Sequence, residues 1–176
     1  LAAQGFEGYF SDLPRIGLTS EVEIGLFGEL SLIAASSKKE NLVYGWHSSP
    51  DATYDYSFNG NRLEVKTSTR PSRLVWLRGS QTMRDADPYL TYLSVYSPID
   101  EAGMNVRELS EQIRAQLPTS LVTVFDEKLS FYDLANCKKR FDMRSTIESF
   151  KFVSSSDIPT INVGDPRILE IQWKCS

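Results

Sequence analysis

The stretch Asp55-Tyr56-Ser57-Phe58-Asn59-Gly60-Asn61-Arg62-Leu63-Glu64-Val65-Lys66 decides how this chain is read. Asn-Gly is the strongest short-range hairpin signal, because a two-residue type I′ turn needs positive φ at both central positions. With Asn59 and Gly60 as that turn, Phe58 pairs with Asn61, Ser57 with Arg62 and Tyr56 with Leu63, and Asp55 comes to face Glu64. Like charges opposed across an antiparallel pair destabilise it, so the arrangement calls for a cation, and a bound divalent metal supplies one. Turning about Gly60-Asn61 instead would set Asp55 against Lys66 and Ser57 against Glu64.

Alternation along the strands sorts the side chains onto two faces. Tyr54, Tyr56 and Phe58 fall with Leu63, Val65 and Thr67 on an apolar side, and Asp55, Ser57, Glu64, Lys66 and Ser68 on a polar one. Hard carboxylate oxygens suit Mg²⁺, which takes one or two carboxylates, keeps several waters and meets substrate phosphate oxygens. Lys66 then orients a metal-bound water or helps to deprotonate it. The plainer alternative is a solvated sheet face carrying one weak Glu-Lys pair.

Upstream, Ser20 and Glu23 form the pattern of a capping box that opens a helix running to about Ala35. Val22, Leu26, Leu30 and Ile33 recur at helical spacing, and Glu29 falls on that same stripe. A carboxylate there either caps a buried donor or joins the metal and water site, because burying it ionised and unpaired is costly. Gly25 and Gly28 leave room for the helix to approach the sheet.

Helix glutamate Glu29 in GLFGEL, Asp55 in TYDYSF, and Glu64 and Lys66 in LEVKTSTR together resemble the active-site order of the PD-(D/E)xK nuclease superfamily. With Trp46 shortly before the aspartate and the late segment SSSDIPTINVGDPRILEIQWK, the chain is similar to a bacterial family of PD-(D/E)xK motif proteins, encoded near restriction, modification and phage-defence genes. The resemblance spans most of residues 17 to 176. It implies an α/β, restriction-endonuclease-like core with a central mixed β-sheet flanked by helices, built as helix, three antiparallel strands, helix and further strand. It also implies Asp55 and Glu64 as Mg²⁺ ligands (Mn²⁺ substituting) with the Val65 carbonyl beside them, Lys66 as the water-positioning lysine and Glu29 as an auxiliary acid. Asp51, in the literal Pro50-Asp51 pair, is the second choice for the aspartate, since it sits in a turn-like loop outside the hairpin.

By the same resemblance Gln81, at an expected helix start, reaches substrate or a ligand carboxylate; the alternative is an ordinary first-turn polar residue. Thr67, Ser68, Arg70, Arg73, Arg78 and Arg84 are the candidates for phosphate contact, against the reading of scattered solvated arginines. Further strands are expected over Leu74–Leu77, Pro88–Tyr96 and Ile168–Trp173, a helix over Val106–Leu117, and a helix and a strand within Phe141–Val153.

The 176 residues, 41% hydrophobic, suffice for one domain with a sizeable core. There is no repeat, linker, membrane-length apolar run or signal region. A first residue other than Met suggests a missing N-terminal part. Cys137 and Cys175 lack metal spacing and suit a reducing cytoplasm, and a single histidine, His47, excludes a multi-His metal site within this chain. The net charge of −4 and pI near 5.1 run against a nuclease that grips DNA unaided, so the grip is expected to come from a local basic strip, a second subunit in a homodimer, the missing N-terminal part or a defence-system partner protein. The competing reading is a catalytically silent nuclease-fold module for nucleic-acid recognition or complex assembly. A small-molecule metal hydrolase has no binding motif to support it.

Overall fold

The computed structural model describes residues 17–47, 52–72, 74–78, 88–158 and 170–174, with the strands 74–78 and 170–174 described by their backbone alone. Helix α1 covers Ser20–Ala35. Its cap lies one residue before the expected one: the Thr19 hydroxyl accepts the Val22 N–H at 3.4 Å. Glu23 does not close a capping box. It is 2% exposed and accepts the N–H groups of Lys138 and Lys139 at 2.8 and 2.7 Å, two charge-assisted bonds that a buried carboxylate needs. Leu26, Phe27, Leu30, Leu32 and Ile33 are all buried, so α1 is a central helix packed on several sides and not a surface helix with one apolar stripe.

The chain continues through α2 (Lys39–Gly45), β1 (Tyr56–Phe58), β2 (Asn61–Ser68), β3 (Leu74–Arg78), β4 (Leu90–Tyr96) and β5 (Ile99–Met104). Then come α3 (Val106–Arg114), α4 (Thr119–Leu129), α5 (Met143–Glu148), β6 (Lys151–Ser154) and β7 (Glu170–Lys174). The Asn-Gly hairpin forms in the expected register, Tyr56 against Leu63, Ser57 against Arg62 and Phe58 against Asn61. Asn59 and Gly60 take φ of 48° and 84°, the two positive values that a type I′ turn requires.

Four strands make a mixed sheet in the order β1-β2-β4-β6. β1 and β2 are antiparallel, β2 and β4 parallel, and β4 and β6 antiparallel. The expected succession of three antiparallel strands therefore stops at two. With β1 on one edge of β2 and β4 on the other, no edge remains for β3, which pairs antiparallel with β7 in a separate two-stranded sheet.

Helix α1 covers the sheet face that carries Leu63, Val65, Leu93 and Val95, with Trp46, Tyr56, Phe125 and Phe141 in the same core. A Cβ at Gly28 would lie 1.9 Å from Thr67 Oγ1, so this glycine is what lets α1 meet β2; Gly25 has open space around it. The opposite face holds a smaller cluster of Leu90, Tyr92 and Ile158, with Tyr54 and Val153 against it. Tyr54 thus packs apart from Tyr56, contrary to the alternation. The strand begins at Tyr56, and residues 53–55 form a bend to which a period of two does not apply. Among the described residues, no helix is long and apolar enough to cross a membrane.

Candidate metal-dependent active site

Asp55 sits one residue ahead of β1, tied there by the His47 N–H, which donates to the Asp55 carbonyl at 2.7 Å, and by a Trp46–Tyr56 bridge. Its carboxylate does not extend the ladder toward Glu64. Where β1 has not yet begun, the edge of β2 is open, and Asp55 Oδ2 takes the Val65 N–H at 2.6 Å. A strand residue turns its N–H and C=O to the same side, so the Val65 carbonyl lies along this same edge. Glu64 is buried, and Lys66 Nζ donates to its Oε1 at 2.7 Å.

The electrostatics reflect this crowding. Burial, followed by the charge of Glu64, pushes the Asp55 carboxyl up to about 7, while the Val65 N–H and the Lys66 ammonium pull the other way. The charge of Glu64 therefore reaches Asp55. One lysine ammonium does not neutralise two buried carboxylates, whereas a divalent cation would.

Of the two readings that its place on the helix left open, the capping of a buried donor is the one seen for Glu29. Trp46 Nε1–H donates to Glu29 Oε2 at 2.7 Å, so the carboxylate does cap a buried donor. It also lies within electrostatic reach of the other two acids: burial first, then Asp55, and more weakly Glu64, hold it well above the usual carboxylate range, against the Trp46 hydrogen bond. The Tyr56 hydroxyl donates to the Glu29 backbone carbonyl at 2.8 Å, binding α1 to the hairpin beneath the site.

Two further residues escaped sequence reasoning. Lys128, on α4, donates to the carbonyls of Val43 and Tyr44 at 2.7 and 2.9 Å and to that of Trp46. It thereby closes the C-terminal end of α2, where a cation is favoured, and fixes the start of the segment that carries Trp46 toward Glu29. The Tyr132 phenol is pushed up by burial and then by the charges of Glu29 and Asp55, so both acids act on it. The apolar spacing of Leu121, Phe125 and Leu129 would have revealed α4, but nothing in the sequence ties its end to the site.

Of the residues considered for phosphate contact, Thr67 turns its hydroxyl to Gly28, and the Ser68 hydroxyl accepts the Arg70 N–H at 3.0 Å, leaving the Arg70 side chain exposed. Asp51, Arg73, Gln81 and Arg84, and the side chain of Arg78, lie outside the described residues. Among the described residues, no group of three or more His, Cys, Asp or Glu side chains makes a ready metal cage. Glu64, the Val65 carbonyl and Asp55, which takes the Val65 N–H and feels the charge of Glu64, offer hard oxygens in the small number that Mg²⁺ accepts while keeping its own waters.

A family model described as "Putative PD-(D/E)XK family member, (DUF4420)" matches residues 3–174. The chain belongs to this family. No curated protein and no solved structure matches the chain. The mixed α/β architecture, a four-stranded mixed sheet flanked by helices, is consistent with a PD-(D/E)XK nuclease-like fold.

Proposed function

We propose that this DUF4420 member is a divalent-metal-dependent nuclease that hydrolyses DNA phosphodiester bonds, working in restriction or phage defence in the cytoplasm. The observation that carries the reading is the Asp55 carboxylate on the Val65 N–H at 2.6 Å, beside a buried Glu64 whose charge raises it and whose own oxygen holds Lys66 at 2.7 Å. Asp55, Glu64 and the Val65 carbonyl would hold Mg²⁺, with Mn²⁺ as a substitute. Once bound, the cation supplies Lewis-acid polarisation of a phosphoryl oxygen and a lowered pKa for coordinated water.

The chain's own residues supply the rest. Lys66 orients the attacking water by its ammonium. Glu29, its carboxyl pKa raised by burial and then by Asp55, is available to hold an outer water, and Trp46 fixes its orientation. Tyr56 ties α1 to the hairpin and so fixes the distance between Glu29 and Asp55.

A second reading, a catalytically silent module for nucleic-acid recognition or assembly, is favoured by the net charge of −4, which suits a chain that depends on a partner protein or a second copy for its grip on DNA. Cleavage of a mixed panel of modified and unmodified DNA, in Mg²⁺ and in chelator, beside the Lys66→Ala protein, separates the two. Metal-dependent cutting lost in Lys66→Ala supports the nuclease. Binding without cutting under any divalent metal supports the module.

A further inference from the structure

Two buried hydroxyl oxygens, Thr67 Oγ1 beneath Gly28 and Ser94 Oγ, lack a hydrogen-bond partner among the described residues, and Ser94 is the one on the sheet face that carries Glu64 and Lys66. Ser94 is 2% exposed, and its Oγ, fully buried, has no hydrogen-bond partner among the described residues. Buried hydroxyls elsewhere are satisfied: Ser31 by the Phe27 carbonyl, Ser110 by the Arg107 carbonyl, and Ser97 and Thr146 by each other. An unpaired buried hydroxyl is a cost that alanine, of nearly the same shape, would avoid.

Its position gives the hydroxyl a use. In the parallel pairing of β2 and β4, Ser94 stands directly beside Lys66, as Tyr92 stands beside Glu64. Leu93 and Val95 face the core under α1, so by alternation Ser94 shares the opposite face with Tyr92, Glu64 and Lys66. Neighbouring strands lie about 4.8 Å apart, within the reach of a lysine side chain. Lys66 is itself mostly buried, its side chain 22% exposed, and its ammonium is engaged with Glu64. An ammonium has three donors, and a cation that engages Glu64 competes for the acceptor Lys66 now uses.

We propose that Ser94 is a positioning residue for Lys66, accepting a hydrogen bond from its ammonium once Glu64 is committed to a divalent cation. The serine then anchors one N–H of Lys66 and leaves the others to the reacting water and the phosphate. This role presupposes the metal-dependent reading of Asp55, Glu64 and Lys66 given above. It also explains why the hydroxyl has no partner in the arrangement where Lys66 rests on Glu64.

Heat denaturation of the parent, Ser94→Ala and Ser94→Thr proteins in EDTA and in Mg²⁺ tests the role, beside cleavage of the DNA panel. In EDTA, Ser94→Ala is expected to melt at or above the parent's temperature, because the lost hydroxyl made no bond. In Mg²⁺ it should gain less than the parent, with an apparent Mg²⁺ affinity weaker by about tenfold, the scale of one hydrogen bond to a charged group. Cleavage should fall in kcat with KM little changed, and Ser94→Thr, which keeps the hydroxyl, should recover much of both losses. Equal Mg²⁺ gains in parent and Ser94→Ala overturn the role of Ser94 while leaving the metal site standing. A Mn²⁺-soaked crystal with Lys66 still on Glu64 and only a water on Ser94 Oγ does the same. A parent that does not respond to Mg²⁺ or Mn²⁺ overturns the metal-dependent reading, and the role of Ser94 with it.

Discussion

Burial and the charge of Glu64 shift Asp55 strongly, and its pH behaviour follows from the sign of that shift. Its folded pKa, about 7, stands above the unfolded aspartate value of 3.8, so the native state favours the protonated form. Metal-free protein should hold this contribution at low pH and lose it as pH rises through that window, by on the order of a few kcal/mol; Glu29 shifts in the same direction. Urea unfolding in chelator from pH 4 to 8 should show stability falling across this range, and Asp55→Asn should flatten the slope. An unchanged slope in Asp55→Asn would remove Asp55 as its source. Lys66 differs, because it acts on water and not on the cation. Lys66→Ala should lower cleavage by roughly 10²–10⁴-fold while leaving the fold and most of the Mg²⁺ response in place, as single-turnover assays and melting curves would show. Asp51→Ala should keep most activity, and its loss would transfer the metal-binding role from Asp55 to Asp51.

At the scale of elements, the contact of α1 with β2 through Gly28 sets how near Glu29 can come to the hairpin acids. A methyl at position 28 would meet Thr67 Oγ1 at 1.9 Å and two further Thr67 carbons at 3.0 Å. Gly28→Ala should therefore cost about 2 kcal/mol of overpacking, and Thr67→Ala in the same chain should recover most of it. Strict additivity of the two changes in a double-mutant cycle by urea unfolding would show that the helix and strand do not meet at this point. The same element pair shows how the sequence could mislead. Ser20 and Glu23 have capping-box spacing, yet Thr19 caps the helix and Glu23 serves the backbone at Lys138 and Lys139, because a distant segment offers two donors to one buried acid.

For the whole molecule, cation binding and folding are linked, since a site assembled from α1, the hairpin and β2 does not exist in the unfolded chain. At Mg²⁺ concentrations about 100-fold above Kd the linkage amounts to about 2.7 kcal/mol, which for a domain of this size corresponds to a rise in Tm of roughly 5–10 °C. Differential scanning calorimetry with and without Mg²⁺ would measure it, and Asp55→Ala should abolish the rise. A rise that survives in Asp55→Ala would place the bound cation elsewhere.

What the sequence determined by itself was local. Asn59-Gly60 specified a turn with two positive φ values, and that turn fixed the register from Tyr56–Leu63 to Phe58–Asn61; period two placed Leu63 and Val65 on the core face; the central helix and the strand at Leu90–Tyr96 were legible from spacing and β-branched or aromatic content. Each of these depends on residues within a few positions of one another. The tertiary structure decided everything that depends on a partner distant in sequence. Parallel pairing of β4 with β2 filled the edge that β3 would have taken, and the same pairing set Ser94 beside Lys66. The open edge ahead of β1 turned Asp55 onto the Val65 N–H, Trp46 crossed to Glu29, and Lys128 reached back from α4 to close α2. Hydrogen bonds and charge shifts of this kind arise only when burial removes water and brings separate elements together, and no periodicity along a single chain encodes which elements those will be.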